Sequence, residues 1–173
     1  MIEIDPPQGK YRTIVIDPPW PVRKGRRTAR PNQIAMDYPV MTLDAITNIK
    51  IPVDSNGGHV YLWATQRFLP AAFDIIKQWG LHYSFTMTWH KPGGFQPFNL
   101  PQFNSEFVVF ASIGNLNFVD TKAFPTCFTA PRAGHSVKPS EFYDLVRRVS
   151  PGPRIDMFAR RERDGFDVWG NEV

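Results

Sequence analysis

The chain alternates short β-branched or aromatic runs with stretches of helical spacing, and this alternation constrains its fold more than any other feature. "YRTIVI" (11–16), "HVYLWAT" (59–65), "HYSFTMTWHK" (82–91), "FVVFAS" (107–112) and "RIDMFA" (154–159) read as strands. Between them, "TLDAITNI" opens with Thr42, a residue suited to cap a short helix. "RFLPAAFDIIKQWG" places Leu69, Ala72, Phe73, Ile76 and Trp79 on one helical face, with Pro70 in the first turn and Gly80 as a stop. "KPSEFYDLVRRVSPG" predicts a third helix that starts at Pro139 and turns Phe142, Leu145, Val146 and Val149 to one side. The pattern predicts an α/β fold with a mostly parallel central sheet flanked by helices. In such sheets ligands bind at the carboxyl ends of the strands. Two segments sit there: "DPPW" (17–20) after the first strand, and "RRERDG" (160–165) directly after what reads as the last one.

Composition narrows the class. With 173 residues and 42% hydrophobic content, residues 1–173 are expected to form one domain. No apolar run approaches the roughly 20 residues of a membrane helix, and "MIEIDPPQGK" lacks the layout of a signal peptide, so a cytoplasmic protein is expected. A single cysteine, Cys127, excludes an internal disulfide, and four scattered histidines point to no metal. The net charge of +4 says little, but five of the twenty basic residues, Arg23, Lys24, Arg26, Arg27 and Arg30, lie within eight positions of each other. They form either a solvated loop or a set of phosphate contacts beside a nucleic-acid site.

"IDPP" occurs twice. The first copy (4–7) has no strand before it and no aromatic after it, and reads as a turn. The second follows a buried strand and ends in Trp20, an order suited to chemistry on an exocyclic amino group. An adenine amino nitrogen is a poor nucleophile because its lone pair is conjugated with the ring. Two acceptors for its N–H groups, the Asp17 carboxylate and the Pro18 carbonyl, favour a pyramidal nitrogen and aim the lone pair outward. Pro18 and Pro19 fix φ and lack N–H donors, which keeps the turn rigid. Trp20 offers a flat face for a base drawn out of its stack. On the residues alone, a plain strand-end turn remains the alternative.

Taken in order, "YRTIVIDPPW", "MDYPVMTLDAI", "NGGHVYLWAT", "TWHKPGG", "NSEFVVFA", "HSVKPSEFYDLVRRVSPG" and "RIDMFARRERDGFDVWGNE" make the chain resemble a known family. It is that of the messenger-RNA N6-adenosine methyltransferase catalytic subunit and its bacterial and phage relatives that act on DNA. The resemblance implies a Rossmann-like methyltransferase fold in permuted order, the catalytic motif preceding the cofactor strand, with S-adenosylmethionine as cofactor. It assigns catalysis to Asp17, Pro18, Pro19 and Trp20. Cofactor binding falls to Asp17, Lys138, Asp156, Phe158, Arg160, Asn171 and Glu172. Glu162 and Arg163 stand where larger relatives have histidine and asparagine, so those roles do not transfer. The segment that grips the cofactor adenine in larger members has only about ten residues in which to lie here.

The resemblance implies methyl transfer to adenine N6 in nucleic acid, with DNA favoured over RNA. The alternatives are an amino-methyltransferase on cytosine or glutamine, and a catalytically dead nucleic-acid-binding subunit that supports an active partner. The intact motif and Lys138 speak against the latter. A homodimer or a related subunit is compatible with the apolar loop residues Phe95, Phe98, Leu100 and Phe103.

Overall fold

The computed structural model describes residues 7, 9–21, 40–93, 96, 98–132 and 137–170. Within them, strands β1 (Thr13–Ile16), β2 (Gly57–Ala64), β3 (His82–His90), β4 (Ser105–Gly114), β5 (Cys127–Thr129), β6 (Arg154–Met157) and β7 (Asp167–Trp169) form one sheet in the order β5-β3-β4-β2-β1-β6-β7. β1 pairs in parallel with β2 and β6, β6 with β7, and β3 with β5; only β4 runs against its neighbours. Helices α1 (Leu43–Thr47), α2 (Leu69–Gln78) and α3 (Ser140–Val149) supply the layers.

The apolar runs are continuous because both faces of the sheet are covered. Ile14 and Ile16 of β1, with Val60 and Leu62 of β2 and Ile155 and Met157 of β6, pack with Ile46, Ala72, Ile75 and Ile76 from α1 and α2. The alternate residues Val15, Tyr61 and Trp63 face Phe142, Tyr143 and Val146 of α3. The parity of a strand position therefore decides which layer a side chain meets.

The helix signals hold. Thr42 caps α1 by accepting from the Ala45 N–H at 3.1 Å, Pro70 lies in the first turn of α2, and Gly80 follows that helix at φ 69°. Three expectations change. Phe73 is 37% exposed and packs edge-on against Tyr83, while Ile75 takes the buried position. β5 and β7, three residues each, are too short for periodicity to reveal. Since β7 follows β6, residues 160–165 connect two strands instead of ending the sheet. Phe98, Leu100 and Phe103 are exposed in this chain; Phe95 and most of the first "IDPP" lie outside the described residues. Among the described residues no helix is long and apolar enough to cross a membrane, and no His, Cys, Asp or Glu cluster could hold a metal ion.

Toward the amino end of β2 lies a buried polar knot. Ser150 Oγ lies 2.9 Å from His59 Nδ1 and 2.7 Å from the Tyr61 hydroxyl, and His59 Nε2 lies 3.1 Å from the Leu116 carbonyl. Burial pulls the His59 imidazole below its usual pKa, which keeps it neutral. The buried lysines, Lys91 and Lys138, and the buried Asp156 lie toward the other end.

Candidate active site

β1 stops at Ile16, and the residues that follow are pinned. The Trp20 N–H donates to the Pro18 carbonyl at 2.8 Å, closing a tight turn around Pro19, and the Pro19 carbonyl accepts from the Met41 N–H at 2.9 Å. The Pro18 carbonyl thus keeps one lone pair for a further donor. Asp17 projects from this turn between β1 and its neighbour β6, its own N–H 3.4 Å from the Met157 carbonyl.

Trp20 departs from its expected use. It is 6% exposed, its ring lies parallel to Phe68 with centroids 5.1 Å apart, and its Nε1–H donates to the Trp63 carbonyl at 3.0 Å. An indole in that position is worth more to the core than to solvent, so no open face is left for a base. Trp20 instead locks the Asp17–Trp20 turn to β2 and to the residues before α2.

Around Asp17 runs an alternating chain of charges. Lys138 Nζ lies 3.0 Å from Asp17 Oδ2 and 3.1 Å from Glu106 Oε2, and Lys91 Nζ lies 2.9 Å from Glu106 Oε1. The two ammonium groups also sit 5.0 and 5.4 Å from the Trp63 and Trp89 rings. Lys91 and Lys138 are buried, which only paired charges tolerate. Burial raises the Asp17 carboxyl above its usual pKa, with Lys138 opposing. Burial would raise Glu106 as well, but Lys138 and Lys91 together outweigh it and hold this carboxyl low. Lys138 is raised because its two carboxylates overcome the burial that would lower it.

Topology brings these groups together. Lys91 follows the carboxyl end of β3; Glu106 opens β4, whose reversed direction puts its start at the same edge, with Trp89 opposite Glu106. Lys138 arrives just before α3. Glu106 and Lys91 carry no role in the sequence reading. Their only signal is a charge directly abutting a buried apolar run.

Asp156 holds the second half of the site. It lies on β6 opposite Val15, on the α3 face, and is 3% exposed. Tyr143 and Arg163 attend its carboxylate, the Arg163 Nε at 3.3 Å from Oδ2, but burial still pushes the carboxyl up to about 6. Burial, then the Asp156 charge, raises Tyr143 well above its usual range. Phe158, at φ 61°, turns the chain out of β6; its N–H donates to the Trp169 carbonyl at 2.6 Å and its ring meets Trp169 edge-on at 5.0 Å. Asp17, Lys138, Asp156, Phe158 and Arg160 line one cavity together with Val137, Tyr143, Ala159, Arg161 and Arg163. Five of the seven residues predicted for the cofactor thus share one space. Asn171 and Glu172, like Arg23, Lys24, Arg26, Arg27 and Arg30, lie outside the described residues.

The sheet order and the acidic strand end define a Rossmann-like methyltransferase fold, with the Asp-Pro-Pro-Trp strand β1 preceding the Asp156 strand β6. Residues 11–172 match the MT-A70 family model, and the chain belongs to this family. It is 24% identical over 160 residues to the N(6)-adenosine-methyltransferase MT-A70-like protein of Drosophila melanogaster, covering 88% of this chain and 25% of that protein. The human N(6)-adenosine-methyltransferase catalytic subunit METTL3 is also 24% identical over 160 residues, covering 88% of this chain and 26% of that protein. The Type II methyltransferase M.MunI of Mycoplasma sp is 23% identical over 190 residues, which cover 96% of this chain and 79% of that protein. The chain spans about a quarter of the length of the first two relatives.

Proposed function

We propose that this chain transfers a methyl group from S-adenosylmethionine to the N6 amino group of adenine in nucleic acid, with DNA as the polymer. The observation that carries the reading is the Asp17 carboxylate, set on a double-proline turn at a strand end in the same cavity as Asp156. The lining suits the cofactor. A buried carboxylate, Asp156, accepts from a ribose diol; Lys138 and Arg160 bring positive charge for a carboxylate; Phe158 and Val137 give apolar walls. S-adenosylmethionine supplies a methyl group already activated on a sulfonium, so the chain needs no nucleophile of its own.

What the residues supply is position and one proton acceptor. Asp17 and the Pro18 carbonyl accept the two amino N–H groups and turn the nitrogen lone pair outward. As the nitrogen gains the methyl and becomes cationic, the Asp17 carboxylate stabilises it and takes up the surplus proton for release to water. Lys138, 3.0 Å from Asp17, favours its ionised form against burial, and Glu106 holds Lys138 in place. The basic run 23–30 suits phosphate contacts. DNA is favoured on the sequence resemblance and on the similarity to M.MunI, which extends over most of that protein.

The reading is tested by incubating the protein with isotopically labelled S-adenosylmethionine and single-stranded DNA, duplex DNA or RNA, then identifying modified nucleosides by mass spectrometry. N6-methyladenine from DNA, absent with Asp17→Ala, supports it. Label in RNA alone overturns the choice of polymer, and label in cytosine overturns the choice of base. Cofactor binding without label in any nucleic acid overturns the proposed activity.

A further inference from the structure

The cavity beside Asp17 is too small for what it is proposed to hold. Its volume is about 70 Å³, several-fold below the roughly 300–1,000 Å³ of small-molecule sites. A broader, shallow depression of about 540 Å³ lies next to it, lined by Glu162, Asp164, Phe166, Asp167 and Val168. One residue borders both spaces: Arg163.

Arg163 is held as a ligand would be. Its Nε lies 3.3 Å from Asp156 Oδ2, and its guanidinium carbon sits 3.5 Å from the centre of the Tyr143 ring, a stacked arrangement. The segment that carries it is short and anchored at its far side. Arg163 pairs with Phe166 in an isolated bridge across Asp164 and Gly165, and Arg147 Nη1 holds Asp164 through its carbonyl at 3.0 Å and its carboxylate at 2.9 Å. The backbone at 163–166 is held by these bonds, whereas the Arg163 side chain is held by one ion pair and the Tyr143 stack. Rotating that side chain away from Asp156 frees the acceptor and joins the two spaces without moving a strand.

We infer that Arg163 is a built-in competitor for the Asp156 diol subsite, so that the cofactor ribose and the Arg163 guanidinium bind the same carboxylate in turn. The inference rests on the cofactor reading proposed above and deepens it. Arg163 is a specificity-determining residue in this scheme: a ligand gains entry only by offering Asp156 donors that replace a charged one. A diol offers two hydroxyls in place of the guanidinium. A ligand without them leaves a buried carboxylate unpaired and is rejected.

The test is equilibrium calorimetry with S-adenosylhomocysteine, adenosine and 2′,3′-dideoxyadenosine on the wild-type chain, Arg163→Gln and Arg163→Lys. If the open arrangement makes up about a tenth of the wild-type population, removing the competitor tightens binding by up to about ten-fold. Arg163→Gln should show this gain with S-adenosylhomocysteine and adenosine, and in each protein 2′,3′-dideoxyadenosine should bind more weakly than adenosine, because it offers Asp156 no hydroxyl. Arg163→Lys, which keeps the charge but loses the stack and the planar fork, should fall between, and it keeps the inference testable if the glutamine variant fails to fold. Unchanged or weaker binding in both variants, with the wild type binding normally, overturns the inference and leaves the cofactor reading intact. Equal affinity for adenosine and 2′,3′-dideoxyadenosine overturns the diol competition. No binding by any of the proteins overturns the cofactor reading together with this inference.

Discussion

Asp156→Asn separates what the fold needs from what the site needs. The buried carboxyl rises from 3.8 to about 6 on folding, and each unit is worth about 1.36 kcal/mol, so the ionised form costs the native state about 3 kcal/mol. A raised carboxyl pKa means that the native state binds the proton more tightly than the unfolded chain. The cost is therefore absent below pH 3.8, grows as pH rises from 3.8 to 6, and is complete above 6. Asparagine has the shape of the protonated acid and does not titrate. The variant should accordingly be more stable than the wild type by about 1 kcal/mol at pH 4.5 and by about 3 kcal/mol at pH 8. Urea unfolding of both proteins at half-unit steps from pH 4.5 to 8 gives the difference directly. The same variant should lose affinity for S-adenosylhomocysteine at pH 8, because an amide cannot accept from both hydroxyls. A variant that is less stable at pH 8, or a stability difference that does not change with pH, would refute the reasoning. The first result would mean that Tyr143 and Arg163 stabilise the carboxylate by more than burial costs it, and the second that they balance that cost.

Three further outcomes are expected. Asp17→Ala should lower methyl transfer by about 10²–10³-fold while circular dichroism and melting temperature stay near wild type, since Lys138 retains Glu106 at 3.1 Å. Trp20→Ala should destabilise the fold by about 3–5 kcal/mol, as truncation of a buried aromatic does; unfolding in urea measures it, and unchanged stability with a raised nucleic-acid KM would return Trp20 to a base-stacking role. Replacing Arg26 and Arg27 with Ala should flatten the salt dependence of DNA affinity, lowering the slope of log K against log salt by about 2 if both contact phosphate; an unaltered slope would leave that run as a solvated loop.

The sequence carries the layered fold because it rests on local signals of adequate length. The four residues "TIVI" and the eight of "GGHVYLWA" are long enough for composition and burial to speak, and Thr42, Pro70 and Gly80 mark helix ends by their own backbone chemistry. β5 and β7 depend on their neighbours for three residues of pairing each, and no local signal encodes that. The Asp-Pro-Pro-Trp turn is legible because its rigidity is intramolecular and local. The partners of Lys138 are not, since Glu106 lies 32 residues away in sequence and reaches the site only because β4 is reversed. Trp20 shows the opposite error. An aromatic beside a catalytic acid suggests a stacking platform, yet the burial of Phe68 and Trp63 behind it claims the ring first.

One physical condition explains why the functional end of the sheet is so crowded with charge. Three carboxylates, Asp17, Glu106 and Asp156, stand against three cations, Lys91, Lys138 and Arg163, each within 3.3 Å of an opposite partner. These six groups are together neutral, as buried charges are when paired, and Arg160 and Arg161 of the same cavity add positive charge. Withdrawal of Arg163 breaks that neutrality by a single negative charge located at Asp156. Lys138 bridges two acids, and its departure would leave Asp17 without its ion pair while Glu106 keeps Lys91. Lys91 and Arg163 each touch one acid, and of the two it is Arg163 that borders both the cavity and the adjoining depression, so its pairing is the one whose opening would widen the site.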